Sequence, residues 1–202
     1  LVHSVPRHRN PPEAQIEPAS RIDVARGLSE WERLETQHVK DNFPDLYDTY
    51  LTRARQTIVK ARHTAGTSAA LEATAGLLEF DAGNLPEAET CLETAIAEGA
   101  TRPLVYRTLA QLRFQALGEA RPLDIEAIEP VVSLLTAAHQ QSPAIPEVYI
   151  ELAEAWDAAE APLSRDQIGV LAAGVRGFPR NVPLVTQMVL MQAKRGQLQS
   201  AE

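Results

Sequence analysis

The chain has 202 residues, a net charge of −8 and 45% hydrophobic residues, with a single cysteine, Cys91. It is long enough to bury a core, and one cysteine excludes an internal disulfide. No apolar run approaches the about 18 residues that would indicate a membrane span. Residues 66–202 hold 9 Lys and Arg against 18 Asp and Glu. Because such an acidic surface repels phosphate backbones, we expect no nucleic-acid partner.

Two segments precede the regular part of the chain. Residues 1–27 contain four prolines, which favour an extended arm or linker. Residues 28–66 are predicted to form a helical pair that begins with a capping box at Ser29 and Glu32 and ends at Gly66. Because the sequence starts with Leu1 instead of Met, we expect a segment of a longer protein, and the compartment stays open between the cytoplasm and the periplasm or exterior.

From Thr67 onward, apolar periodicity and turn residues predict helices that follow one another in pairs. The pattern contains no strand-like alternation and therefore predicts an all-α fold. Pro130 is expected either to belong to the first turn of its helix or to kink it. The predicted helices cover about residues 69–82, 85–98, 103–117 and 125–141, then one that opens at Pro146 and includes Trp156, one from about 164 to 177 and one over about 182–195. Gly196 is predicted to turn the chain into a further helix.

A small residue recurs inside the first helix of each pair, at Gly76, Ala110 and Ala153, and Val189 occupies the next such position. The spacings are 34, 43 and 36 residues, and self-similarity at such a spacing is typical of repeat architectures. Small residues also stand seven apart in a second helix, at Ala88 and Ala95. We expect helices to cross closely at these positions, because a bulky side chain would separate them.

These residues resemble the tetratricopeptide repeat, most clearly over residues 75–99, with the turn Gly83-Asn84-Leu85. The resemblance implies an α-α superhelix, a right-handed solenoid of antiparallel helix pairs. Its copies cover about residues 69–102, 103–145, 146–181 and a truncated 182–202. Glu79 and Arg113 depart from the family pattern, because the family usually has an aromatic residue there. Gly174 stands where the family has alanine.

The resemblance also implies a concave groove lined by the first helix of each pair. A mixed apolar and acidic lining favours a peptide with some basic character. The residues expected to face this groove are Leu77, Phe80, Arg107, Gln111, Phe114, Ile150, Glu154 and Asp157. For Phe80 and Phe114 the alternative is that they pack in the core at the helix junction. The basic set with which some family members grip a peptide carboxylate is not matched.

No constellation in the sequence predicts catalysis. Glu35 and His38 have the spacing of one ligand pair of a di-iron bundle, but the other ligands of such a site are absent. The acidic line of Glu147, Glu151, Glu154 and Asp157 is interpreted as a solvated or partner-facing stripe. The sequence has no phosphate-binding glycine loop, no HExxH helix and no credible Ser/His/Asp set. We therefore expect no enzyme activity, no metal and no cofactor.

The sequence thus predicts a non-catalytic protein-interaction or scaffolding module that binds a protein or peptide. The alternative is an accessory helical-repeat region of a larger enzyme whose catalytic domain lies upstream. This alternative depends on residues 27–34, which resemble segments of large bacterial proteins that carry a zinc-peptidase-like domain before their repeats. A third interpretation is a structural spacer without a ligand. The truncated last repeat would also offer an apolar face for self-association.

Overall fold

The computed structural model describes residues 40–159 and 163–199, with side chains up to residue 193. The described residues are helical apart from short connections, and they contain no strand. The all-α prediction is therefore confirmed. The helices with defined bounds are α1 Pro44–Ala65, α2 Ala69–Ala82, α3 Leu85–Ala97, α4 Pro103–Ala116, α5 Ile125–His139, α6 Pro146–Ala158, α7 Arg165–Gly177 and α8 Val182–Gln199. The proline-rich arm, the capping box and the Glu35–His38 pair lie outside the described residues.

Local capping explains why most helix ends fall where the sequence predicts them. The Ser68 hydroxyl accepts a hydrogen bond from the Leu71 N–H at the start of α2. Gly83 ends α2 in the left-handed region, with φ of 81°, which glycine adopts without steric cost. Pro103 and Pro146 open α4 and α6, where the missing N–H has no helical partner to lose. Ser164 and Gln167 form a capping box at α7.

Two predictions about helix interiors can be compared with the structure. Pro130 lies inside α5 beyond its first turn, since the helix begins at Ile125, so the first-turn alternative is excluded and the kink stays a prediction. The turn predicted at Gly196 is wrong, because α8 continues to Gln199. A glycine within a helix costs only about 1 kcal/mol relative to alanine, so a lone glycine does not have to end a helix.

The chain divides into two compact units, residues 1–54 and residues 55–202. In the described part of the first unit, the Lys40 ammonium lies 5.5 Å from the centre of the Tyr47 ring. In the second unit each helix from α2 to α8 packs on the next one along the chain. The alternate helices α2, α4, α6 and α8 also pack in sequence on one another, whereas α3, α5 and α7 do not.

The predicted close crossings occur between buried helices. A side chain at Gly76 would meet Leu92, whose backbone nitrogen lies 3.0 Å from the position of an added Cβ. Gly174 packs in the same way on the Tyr149 ring, 2.5 Å from where a Cβ would stand. The other small residues, Ala88, Ala95, Ala110 and Ala153, are fully buried. Val189 differs, because it is 58% exposed, so α8 has no close crossing there among the described residues.

Candidate functional site

A cavity of about 190 Å³, here named the central cavity, lies where α4, α5 and α6 meet. Helix α4 contributes an aromatic ring and two amides, α5 contributes apolar side chains and α6 contributes two carboxylates. The lining residues are Ala110, Gln111, Phe114, Gln115, Val131, Leu135, Glu151 and Glu154. Ala110 is completely buried, and its small side chain leaves space beside the neighbouring helices. The cavity therefore combines an apolar floor with acidic and amide groups.

An ion pair joins α4 to α6 at this cavity. The Arg107 guanidinium donates from Nε to Glu151 Oε1 over 2.7 Å, and its Nη2 lies 2.6 Å from the same oxygen. Both side chains are mostly withdrawn from solvent, with 24% of Arg107 and 18% of Glu151 exposed. The other carboxylate oxygen, Glu151 Oε2, is buried and accepts no hydrogen bond from any described residue. A buried acceptor without a donor is costly, typically by about 1–3 kcal/mol.

Burial also raises the pKa of both carboxyls, Glu151 and Glu154. It raises the pKa of Glu151, and the Arg107 guanidinium opposes this shift only in part. The pKa of Glu154 is raised by burial as well, although its side chain is the more exposed of the two. The two carboxylates thus share a single guanidinium in a poorly solvated space. A further cation in the cavity would stabilise their ionised forms.

The structure brings together some of the residues predicted to line the groove. Gln111, Phe114 and Glu154 line the central cavity, and Arg107 reaches it through Glu151. Leu77, Phe80 and Ile150 are half-buried and pack against the hydrophobic core instead. Asp157 is half-buried and does not line the cavity.

Phe80 packs on the core, and Phe114 packs on the core and also lines the central cavity, so the place of Phe80 in a groove stays a prediction. Glu151 was predicted to lie in a solvated or partner-facing stripe. It is half-buried and paired with Arg107, so it is not simply solvated, and a partner-facing role stays a prediction.

Two ion pairs that the sequence did not predict connect α1 to α2. Arg55 binds Glu79 with Nε–Oε1 and Nη2–Oε2 distances of 2.7 and 2.5 Å. Arg62 binds Glu72 in the same two-pronged way, at 2.9 and 2.5 Å. Both glutamates are buried, and the Arg62 Nη2 also contacts Cys91 Sγ at 3.2 Å. Arg55 and Arg62 are seven residues apart, as are Glu72 and Glu79, and this matched spacing is the feature of the sequence that could have predicted the two ion pairs.

Glu79 and Arg113, the two charged residues at which the sequence departs from the pattern it resembles, both form ion pairs between helices. The hydrogen bonds from Arg55 lower the pKa of Glu79, assisted by Asn84. Arg113 stands at the equivalent place in the next pair and binds Glu89 and Glu93 of α3. Charged contacts between helices thus occupy positions where apolar contacts are expected. Cys91 is buried, as predicted, but it lies against a guanidinium in addition to the core.

No protein-family model matches the sequence, and no curated protein matches it either. Within residues 40–159 and 163–199, no group of three or more His, Cys, Asp or Glu side chains is placed to hold a metal ion. None of the helices in these ranges has the length and apolar character needed to cross a membrane. Function is therefore inferred from the geometry of this chain alone.

The raised pKa of Glu151 predicts a pH-dependent contribution to stability. A carboxyl whose folded pKa exceeds its unfolded value of about 4.3 stabilises the fold most below that value, and the contribution is lost as pH rises through the folded pKa. Relative to Glu151→Gln, the wild type should therefore lose unfolding free energy as the pH rises above about 4. Urea titrations at several pH values measure this difference. The exposed Glu98→Gln serves as control, and identical pH profiles for wild type and Glu151→Gln would contradict the prediction.

Proposed function

We propose that the chain is a non-catalytic helical-repeat module of the tetratricopeptide type that binds a peptide or protein segment along α4 and α6. Glu151 carries this proposal, because it lines the central cavity and its buried Oε2 has no hydrogen-bond donor among the described residues. A basic side chain of the partner, entering between Phe114 and Glu154, would pair with the Glu154 carboxylate and, once the Glu151 side chain turns toward it, donate a hydrogen bond to Oε2. The cavity of about 190 Å³ has room for one such side chain but not for a large ligand.

The order in which the helices pack supports the repeat architecture. In stacked antiparallel pairs, the first helix of each pair contacts the first helix of the next pair, and the row of first helices forms one surface. Helices α2, α4, α6 and α8 pack in this order, while α3, α5 and α7 do not. The central cavity opens between two helices of that row, α4 and α6, with α5 as its floor. The neighbouring apolar side chains on α4 and α6 would support an extended or helical partner.

Selection from a random 12-residue peptide library tests this proposal with the full chain. Peptides enriched by the wild type should share a Lys or Arg at one position. Replacing that residue by Gln, or replacing Glu154 by Lys in the protein, should each raise the Kd at least about tenfold, because a charge pair is lost or reversed. The affinity should also fall as salt is added, since Glu154 is exposed and salt screens its charge.

A matched control reverses a charge elsewhere on the same unit. Glu126 is exposed on α5 and does not line the central cavity, so Glu126→Lys should leave the Kd within about twofold. Selected peptides without a shared basic residue, or peptides that bind the Glu154→Lys variant as tightly as the wild type, would overturn the proposal.

A further inference from the structure

A second and larger space, here named the outer cavity, lies between α5 and α7 and measures about 530 Å³. Its volume falls within the range of about 300–1,000 Å³ that is usual for small-molecule sites. One face of α5 forms a wall from Ile125, Ile128 and Val132, with Glu129 beside them. Gln167 of α7 and Trp156 of α6 also line the outer cavity. The space exists because α5 and α7 pack on α6 but not on each other.

Trp156 gives the outer cavity a polar group without a partner. Its side chain is only 8% exposed, and its Nε1 donates no hydrogen bond to any described residue. The indole nitrogen is a donor only, so it requires an acceptor. Leaving such a donor unpaired in a buried place is unfavourable, and native structures rarely do so without a reason. Because Nε1 has almost no accessible surface, a ligand oxygen in the outer cavity reaches it only when the indole turns toward the cavity, and that contact would remove this cost.

The charges around the outer cavity restrict the ligand further. Glu129 is the one charged residue among its described lining, which includes no lysine or arginine. A carboxylate at the rim attracts a cation and repels an anion, whereas the three aliphatic side chains of α5 suit an apolar body. The acceptor for Trp156 must therefore be a neutral oxygen, such as an amide carbonyl, because an anionic one would be repelled by Glu129.

The outer cavity is separate from the groove proposed above. At about 100° per residue, Trp156 and Glu154 project from α6 about 160° apart. The lining residues of the two cavities have no member in common. Binding at one site can therefore be measured while the other is disabled.

We infer that the outer cavity binds a small organic molecule with an apolar body, a neutral carbonyl oxygen for Trp156 Nε1 and an ammonium group for Glu129. The ligand lies between α5 and α7, with its apolar body on Ile125, Ile128 and Val132. The Gln167 amide oxygen accepts from the Ser164 N–H, so Gln167 offers its Nε2 as an additional donor to the ligand.

Three matched compounds test the inference on the full chain carrying Trp31→Phe, which leaves Trp156 as the single tryptophan. N-(2-aminoethyl)hexanamide carries the carbonyl and the ammonium, N-ethylhexanamide carries the carbonyl alone, and N-hexanoylglycine adds a carboxylate. The indole N–H resonance of Trp156 is followed by NMR during titration. We expect saturable shifts with a Kd on the order of 1 mM for the ammonium compound, as is usual for ligands of this size, and weaker binding in the order neutral, then anionic.

Glu129→Gln removes the charge that would bind the ammonium group, and it should leave the fold unchanged because this residue is exposed on α5. In this variant the ammonium and neutral compounds should bind with equal Kd, and the Glu154→Lys variant should bind all three compounds as before. No shift of the Trp156 resonance up to about 20 mM of any compound would overturn the inference. An anionic compound that binds as well as the ammonium compound would also overturn it.

Discussion

Gly76→Ala is expected to lower the unfolding free energy by about 1–2 kcal/mol, even though alanine is the better helix former. An added Cβ would lie 2.7 Å from Leu92 Cγ and 2.8 Å from its Cδ2. Rotation of the Leu92 side chain would not relieve the contact, because the backbone nitrogen of Leu92 lies only 3.0 Å away. Helices α2 and α3 would have to move apart where they are most tightly packed. Overpacking of this kind costs about 1–3 kcal/mol, and the higher helix propensity offsets part of it.

Gly169 provides a control of the opposite sign. It also lies inside a helix, α7. Apart from its chain neighbours and the nearby backbone of α7, no described atom lies within 4 Å of an added Cβ. Gly169→Ala should therefore raise the unfolding free energy by about 0.5–1 kcal/mol through helix propensity alone. Thermal or urea unfolding distinguishes the two, with about 2–4 °C in Tm for each kcal/mol. Equal effects of both substitutions would show that α2 and α3 do not cross closely at Gly76.

The sequence predicted features whose cause is local. Ser68, Gly83 and Pro146 act within one helical turn, so the helix ends that depend on them could be placed without knowing the fold. The small residues at Gly76 and Ala110 were also predicted correctly as sites of close packing, because their spacing repeats along the chain.

Features that depend on the rotation of one helix against another were not predicted. The pairing of Glu151 with Arg107 was not predicted, since the two residues are 44 apart in the sequence and the neighbours of Glu151 do not reveal it. Arg55 and Glu79 are 24 residues apart, and each alone is an ordinary charged residue on a helix. For Gly196, a local turn signal was given too much weight, because a glycine in a helix carries only a small penalty.

The contact between α1 and α2 is unusual because charge replaces much of the apolar packing. Ile58 is the only residue of α1 that is buried, and it touches the small cluster formed by Ala75 and Cys91. The second half of α1 is otherwise connected to α2 by Arg55 and Arg62, which reach the two buried glutamates. Breaking a pair that leaves one ion buried is far more damaging than breaking an exposed pair.

The double variant Glu72→Gln/Glu79→Gln is expected to lose about 2–4 kcal/mol of unfolding free energy. This value lies below the sum for two fully buried pairs, because Arg62 and Arg55 are 31% and 42% exposed and water screens part of each interaction. The matched control is Glu93→Gln. Its carboxylate is 48% exposed, against 4% for Glu72 and 9% for Glu79, so a change of less than about 1 kcal/mol is expected.

Acid should weaken the Arg55–Glu79 ion pair by protonating the Glu79 carboxylate. The hydrogen bonds from Arg55 hold the pKa of Glu79 below its usual value. A group of this kind contributes its full stability above the unfolded pKa of about 4.3, and the contribution is lost as pH falls through the folded pKa. The difference in unfolding free energy between wild type and Glu79→Gln should therefore shrink below about pH 4. A constant difference at lower pH would contradict the assignment.

Cys91 reports directly on whether these pairs hold α1 in place. It is the only cysteine, it is buried, and its sulfur lies under the Arg62 guanidinium. Burial raises the pKa of its thiol, so it should react slowly with a thiol reagent in the native state.

Under native conditions, Glu72→Gln should accelerate labelling of Cys91 at least about tenfold if α1 detaches locally, because a loss of about 1.4 kcal/mol in opening free energy corresponds to that factor. Glu93→Gln should leave the rate unchanged. Unchanged labelling in Glu72→Gln would mean that Ile58 and its apolar neighbours hold α1 without the ion pairs.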